Sequence, residues 1–223
     1  PEEAKTAVDK CIFYATNSDS NLGDWRNKLC FVADNGNSNT HFRQVEKQIC
    51  PLIESIAPVY NLDKIYIDAY MPVSTPSGQR CPQANAGISS NVQNGVLLIN
   101  YTGHGGETSW AEEGILTVRE IDSWTNYSKM PVFMTATCEF SRYDDPTRVP
   151  SAGERVFLNP AGGGIALFTT TRLANAGTNI GLTLYFYDTL FSSHKGEYPR
   201  FGDVIAYAKN KMGGSDASLV RNF

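Results

Sequence analysis

Residues 96–101 read VLLINY and residues 131–137 read PVFMTAT, two short runs that are apolar almost throughout. The first run leads into Thr102-Gly103-His104-Gly105-Gly106, and the second leads directly into Cys138. A short apolar run without polar alternation is typical of a strand that is buried on both faces of a parallel sheet. The two runs therefore predict two strands of one sheet, with a histidine and a cysteine emerging at the same edge.

Three further apolar runs complete the predicted sheet, at residues 28–33, 64–69 and 164–170. Helical patterns, with apolar residues three and four positions apart, separate the runs. These patterns cover residues 2–14, 42–56, 82–93, 118–124, 180–191 and 201–208. Pro51 interrupts the second pattern and should kink that helix or start a new one. Buried strands that alternate with helices predict an α/β domain, in which helices flank a mostly parallel central sheet.

The composition of the 223-residue chain is that of a globular protein, with 41% apolar and 19% charged residues. A net charge of -4 argues against nucleic acid as a partner, because nucleic-acid-binding proteins display a basic face. No apolar run reaches the length that spans a bilayer. Since the chain starts at Pro1 within a polar stretch, we expect a piece of a longer protein, folded as a single domain over residues 1–223.

Five cysteines are present, and no two of them form a C-x-x-C pair, which argues against zinc ribbons and thioredoxin-type redox motifs. Cys11, Cys30 and Cys50 stand in apolar surroundings and are expected to be small core residues. Besides His104, the chain contains His41 and His194. Both lie in polar stretches away from the predicted strand ends and are expected at the surface.

Cys138 and His104 are the candidate catalytic pair. A thiol near an imidazole forms a thiolate at neutral pH, because the imidazolium stabilises it. The glycines beside His104 would let the main-chain N–H groups of Gly105 and Cys138 approach an oxyanion. On spacing alone, a buried structural cysteine and a histidine in a tight turn remain alternatives. A metal site is disfavoured because further ligands are not evident nearby, and Gly162-Gly163-Gly164 precedes a strand, which predicts a turn and not a phosphate loop.

Residues 100–107 (NYTGHGGE), with Trp110-Ala111 after them, resemble the histidine motif of the gingipain family of cysteine peptidases. Residues 135–146 (TATCEFSRYDDP) are similar to the cysteine motif of the gingipain-related sortases of the type IX secretion system. The resemblance covers nearly the whole chain. It implies a three-layer, caspase-like fold, with Cys138 as the nucleophile, His104 as the general acid/base, and the amides of Gly105 and Cys138 as the oxyanion hole.

Residues around the pair also have candidate roles, the first from the resemblance and the others from their positions in the sequence. Gingipains place an acidic residue after the first strand to orient the histidine, and Asp34 is the matching position; a turn-forming aspartate before Asn-Gly is the alternative. The loop residues Glu139, Arg142, Asp144 and Asp145 would shape a substrate pocket or form a solvated charged loop. Thr171 and Arg172 would line the same cleft, where Arg172 would bind a substrate carboxylate or pair with one of those acids. Trp110 would be a pocket wall or a core aromatic.

The activity implied by the resemblance is that of a cell-surface cysteine endopeptidase and transpeptidase. Such a sortase removes the C-terminal secretion domain of exported proteins and transfers them, through a thioester, to anionic lipopolysaccharide at the outer membrane. The implied partner is the outer-membrane barrel PorV, and no nucleic acid is expected. A secreted peptidase that only hydrolyses and a catalytically idle docking domain are the alternatives. No cofactor is predicted; gingipains carry structural calcium, but no loop here has the ligand density for a calcium site.

Overall fold

A five-stranded, fully parallel sheet organises the molecule, with the strand order β2-β1-β5-β8-β9. The computed structural model describes residues 1–16, 21–146, 149–193, 196–213 and 220–223. The sheet strands are β1 Lys28–Ala33, β2 Asn61–Tyr66, β5 Leu98–Thr102, β8 Val132–Ala136 and β9 Ala166–Phe168. Two small antiparallel pairs lie outside the sheet, β3 Val73–Thr75 with β4 Gly78–Arg80, and β6 Ser109–Trp110 with β7 Leu116–Thr117.

Helices precede, connect and follow the sheet strands. They are α1 Glu2–Thr16, α2 Gly36–Gln44, α3 Cys50–Ile56, α4 Pro82–Asn94, α5 Val118–Ser123, α6 Ala152–Leu158, α7 Ala176–Leu190 and α8 Phe201–Lys211. A π-helical turn, Val45–Ile49, joins α2 to α3. Within the described residues, no helix combines the length and the apolar character needed to cross a bilayer.

Alternate residues of each strand face opposite layers, which gives the fold two cores. On β1, Cys30 and Val32 pack with buried residues of α4 and α6. Leu29, Phe31 and Ala33 pack on the other side, with the π-helical turn, α3, α7 and α8. The sheet is therefore covered on both faces, as a parallel sheet requires.

The predicted α/β class with a flanked parallel sheet is confirmed. The second strand covers residues 61–66 and not 64–69, because its register with β1 ends at the pair Ala33 and Tyr66 and the chain then enters a 3₁₀ turn. Pro51 lies in the first turn of α3, where its missing N–H costs nothing, and it follows the π-helical turn. His194 lies outside the described residues.

One lysine links the first helix to the core. Lys10 is fully buried, and its ammonium donates hydrogen bonds to the carbonyls of Phe157 at 2.6 Å and Gly162 at 2.7 Å, at the C-terminal end of α6. Cationic groups are favoured at such a helix end. Cys11, the next residue, is exposed, contrary to prediction, because Lys10 is the only residue of α1 that is buried. Cys30 and Cys50 are buried as predicted.

Replacing Lys10 by methionine tests this contact. Burial lowers the pKa of the Lys10 ammonium from 10.5 to about 8. Between these pH values the unfolded chain binds the proton that the folded chain has lost, so the free energy of unfolding of the wild type rises with pH. We expect a rise of up to about 3 kcal/mol between pH 8 and 10.5, measured by urea unfolding, that Lys10→Met lacks. An identical pH dependence in both proteins would contradict the contact.

Candidate functional site

Three neighbouring strands end at one level on the carboxyl edge of the sheet. Ala33 of β1 pairs with Thr102 of β5, and Thr102 pairs with Ala136 of β8. Asp34 is the first residue beyond this level on β1, while His104 and Cys138 are each the second residue beyond it on their adjacent strands. The sheet thus brings the predicted cysteine, histidine and aspartate to the edge where parallel α/β sheets place their sites.

Cys138 lies half-buried directly after β8. The main-chain N–H of Ala174 donates to its Sγ at 3.4 Å, and the carbonyl of the same residue lies 3.7 Å from that sulfur. Ala174 belongs to the segment between β9 and α7. Both contacts hold the sulfur against the main chain of Ala174.

The main chain of His104 is fixed while its side chain is exposed. Its carbonyl accepts hydrogen bonds from the Tyr101 hydroxyl at 2.5 Å and from the N–H of Ala111 at 2.8 Å. Its own N–H donates to Oδ2 of Asp34 at 2.6 Å. These contacts hold the loop rigidly and leave the imidazole at the surface, where substrate can reach it.

Asp34 is 3% exposed, and both of its carboxylate oxygens accept hydrogen bonds. Oδ1 lies 2.5 Å from Nδ1 of His41 and accepts the N–H of Gly36 at 3.0 Å, while Oδ2 accepts the N–H of His104. Burial acts to raise the pKa of Asp34, but the hydrogen bonds from His41, His104 and Gly36 outweigh it and hold the pKa below its ordinary value. Asp34 therefore lies beside His104 as predicted, and it accepts a hydrogen bond from the main chain of that residue.

His41 is not a surface residue, contrary to prediction. It is 5% exposed, it contacts Asp34, and its ring meets the ring of His104 edge to face with centroids 5.0 Å apart. The sequence did contain a signal: the buried residues Val45 and Ile49 continue a four-residue spacing that, extended backwards, reaches His41. Its position in a polar stretch concealed that it belongs to the buried helix face.

Asp34, His41 and His104 each offer a ligand atom, and these atoms lie within 4.8 Å of one another. Two imidazoles and a carboxylate form a donor set that zinc accepts. In the structure, however, both Asp34 oxygens already accept hydrogen bonds from N–H groups. The cluster is held together as a hydrogen-bonded network.

The amide of Gly105 is available for an oxyanion. Gly105 and Trp110 form an isolated antiparallel bridge, and the residues next to them in the chain make its hydrogen bonds. The N–H of Gly106 donates to the carbonyl of Ser109, and the N–H of Ala111 donates to the carbonyl of His104. The N–H of Gly105 therefore takes no part in the bridge. Below it, the hydroxyl of Thr137 is buried, and no partner for it is found among the described residues.

The whole chain, residues 1–223, matches the model of Peptidase family C25. The chain belongs to this family. It is 29% identical over 140 residues to gingipain R2 of Porphyromonas gingivalis, a match that covers 61% of this chain and 17% of that protein. It is also 29% identical over 168 residues to Lys-gingipain of the same organism, covering 71% of this chain and 9% of that protein.

Solved gingipain structures share the fold. The complex of the Porphyromonas gingivalis RgpB pro- and mature domains aligns with a TM-score of 0.74 at 21% identity, covering 99% of this chain and 50% of that one. The crystal structure of the Arg-specific cysteine proteinase gingipain R aligns with a TM-score of 0.73 at 19% identity and the same coverage. The predicted gingipain-like fold is confirmed. The chain spans half of these solved chains and less than a fifth of the curated relatives.

In this family C25 domain, ion pairs connect the loops that follow the two catalytic candidates. Arg142 pairs with Glu107 of the histidine loop at 2.8 Å and with Glu139 at 3.4 Å. Arg172 forms a two-pronged contact with Asp144, at 2.9 and 2.6 Å. Of the two predicted roles of Arg172, pairing with an acid is the one that the structure contains. The charged loop is thus ordered by ion pairs, although exposed pairs contribute little stability.

Of the other predicted pocket residues, Trp110 is a core residue and Thr171 lines a groove with Ser141 and Tyr143 of the loop that follows Cys138. Trp110 is fully buried and stacks on Tyr101 with ring centroids 4.4 Å apart, so it belongs to the core and forms no pocket wall. Thr171 donates its N–H to the carbonyl of Asn222 at 2.6 Å and lines a groove of about 540 Å³, together with Phe168 and Phe223. Glu139 remains beside Cys138, with a left-handed φ of 54°.

A methyl group at Gly105 tests the oxyanion geometry. A Cβ there would lie 2.6 Å from the Thr137 hydroxyl oxygen and 2.8 Å from the Ser109 carbonyl oxygen, so the loop must move. We expect Gly105→Ala to lower the kcat of peptide cleavage by about 10²-fold, the effect of losing one oxyanion donor. Gly106→Ala is the matched control, since a Cβ there meets nothing within 4 Å. Equal activity of the two variants would exclude this role for Gly105.

Proposed function

We propose that this domain is a cysteine endopeptidase in which Cys138 is the nucleophile and His104 is the general acid/base. The observation that supports it is the register of the sheet. His104 and Cys138 stand at equivalent positions beyond the paired residues Thr102 and Ala136, at the edge where parallel sheets place their sites. Membership of Peptidase family C25 supports the same chemistry.

The proposed reaction begins when His104 accepts the proton of the Cys138 thiol. The thiolate attacks the peptide carbonyl carbon, and the N–H groups of Gly105 and Cys138 stabilise the oxyanion. The C–N bond then breaks, His104 returns the proton to the leaving amine, and a thioester remains on Cys138. Water resolves the thioester to an acid, whereas an amine resolves it to a new amide.

We further propose that an amine is the natural acceptor, as in the type IX secretion sortase PorU, which this sequence resembles. The substrates would be exported proteins with a C-terminal secretion domain, and the acceptor would be anionic lipopolysaccharide. The protein would act at the outer cell surface with the barrel PorV as its partner, and it would need no cofactor. What supports the amine is the resemblance of the 135–146 motif; the dyad chemistry serves either acceptor.

A peptidase that only hydrolyses is the second candidate. The relatives favour it, since one of the solved neighbours is an Arg-specific cysteine proteinase. The two candidates differ in the product and not in the first step. The mass of the cleaved client protein therefore separates them.

The test is complementation with the full-length protein carrying Cys138→Ala or His104→Ala, reading the mass of client proteins at the cell surface. We expect both variants to leave the C-terminal domain attached and to lower the rate of release at least about 10³-fold, the scale of losing a covalent catalyst. Cys11→Ala is the matched control, because Cys11 is an exposed thiol on α1. Normal release of the C-terminal domain by Cys138→Ala would refute the proposed peptidase. If the wild type releases client proteins without a lipopolysaccharide adduct, the peptidase that only hydrolyses is the correct candidate.

A further inference from the structure

The ring of His104 lies against the start of α2. A side chain at Gly36 would come within 2.5 Å of the His104 Cδ2 atom and 2.8 Å of its Nε2 atom, so the main chain of Gly36 directly borders the imidazole. His41, one turn further along α2, presents its ring to His104 at an interplanar angle of 76°. Two residues of one helix therefore form a wall behind the general acid/base.

Asp34 connects this wall to the histidine loop. One of its oxygens binds His41 and Gly36, and the other binds the N–H of His104. The carboxylate is buried and charged, so it needs donors on both oxygens. His41 donates from a side chain, Gly36 and His104 donate from the main chain, and the Tyr101 hydroxyl also lies within hydrogen-bonding reach of the carboxylate.

We propose that His41 is a positioning residue of the peptidase site: by donating its Nδ1–H to Asp34 and packing against His104, it fixes the loop and ring of the general acid/base. This inference rests on the proposed function. His41 touches neither substrate nor Cys138 in this role. It acts by keeping the Asp34 carboxylate ionised and oriented, and so by keeping the His104 N–H anchored.

Two substitutions separate the hydrogen bond from simple packing. His41→Phe keeps a ring but removes the donor, and it leaves Oδ1 of Asp34 without its side-chain partner. His41→Asn loses the ring but keeps an amide nitrogen at the place of Nδ1. If the hydrogen bond positions His104, asparagine rescues and phenylalanine does not. A role in packing alone reverses this order.

The experiment uses the full-length protein and measures kcat and KM of peptide cleavage and the rate of Cys138 alkylation by iodoacetamide. We expect His41→Phe to lower kcat about 30-fold, within the range of general acid/base effects, with KM within about two-fold. Alkylation slows with it, because a misplaced imidazole stabilises less thiolate. His41→Asn should stay within about three-fold of the wild type in kcat. An unchanged kcat in His41→Phe, or a greater loss in His41→Asn, would overturn the proposal.

A second comparison covers the case in which His41→Phe does not fold. His41→Gln keeps an amide but extends it by one carbon, so its kcat should lie between that of His41→Asn and that of Asp34→Asn. If His41 and Asp34 act as one unit, His41→Gln combined with Asp34→Asn loses no more than Asp34→Asn alone. Losses that multiply would count against a shared role.

Failure of this inference can be told apart from failure of the proposed function. Wild-type protein that cleaves no peptide refutes the peptidase. Wild-type protein that cleaves, with a fully active His41→Phe variant, refutes only the role of His41. Alkylation of Cys138 needs no peptide substrate, so it tests the role of His41 independently of peptidase activity.

Discussion

The common register of β1, β5 and β8 is the constraint on which the candidate site depends. The three strands end at one level, because Ala33 pairs with Thr102 and Thr102 pairs with Ala136. The residues that follow them therefore emerge at the same edge of the sheet. A slip of one residue between β5 and β8 would turn every side chain of the slipped strand to the opposite layer. The two buried cores on either face make such a slip costly, so the packing that stabilises the sheet also sets the separation of His104 and Cys138 along the strands.

A buried carboxylate is the second constraint. Asp34 carries its charge at 3% exposure, and the hydrogen bonds that hold its pKa low come from helix α2, at Gly36 and His41, and from the histidine loop, at His104. One anion therefore ties three segments together at the sheet edge. An uncharged residue of similar size would fill the space but would lose the preference for N–H donors that assembles the cluster.

The sequence predicted the parallel sheet because five short runs were mostly apolar, and it placed His104 and Cys138 because each stands within three residues of the end of such a run. Asp34 was assigned through the gingipain resemblance, which places an acidic residue just after the first strand. His41 was missed because its burial depends on Asp34, which lies across a turn. A polar side chain in a polar stretch can join the core when a buried carboxylate accepts its hydrogen bond. Trp110 could not be assigned from sequence for a related reason, since its burial follows from stacking on Tyr101, which no local pattern records.

Under the proposed function, the separation of the buried sheet from the loops at its carboxyl edge would let one fold serve both hydrolysis and transfer to an amine. Alignment over 99% of the chain at 21% identity shows that the sheet and its helices tolerate wide substitution. In the proposed reaction the dyad would form a thioester whatever nucleophile follows, so the acceptor would be chosen by the groups around Cys138 and not by the sheet. Here those groups are two sets of ion pairs on the loops at the sheet edge: Arg142 with Glu107 and Glu139, and Arg172 with Asp144. The strand register fixes where these loops begin but not their conformation. Differences in specificity between members of the family therefore belong on these loops, where a change of charge leaves the strand register intact.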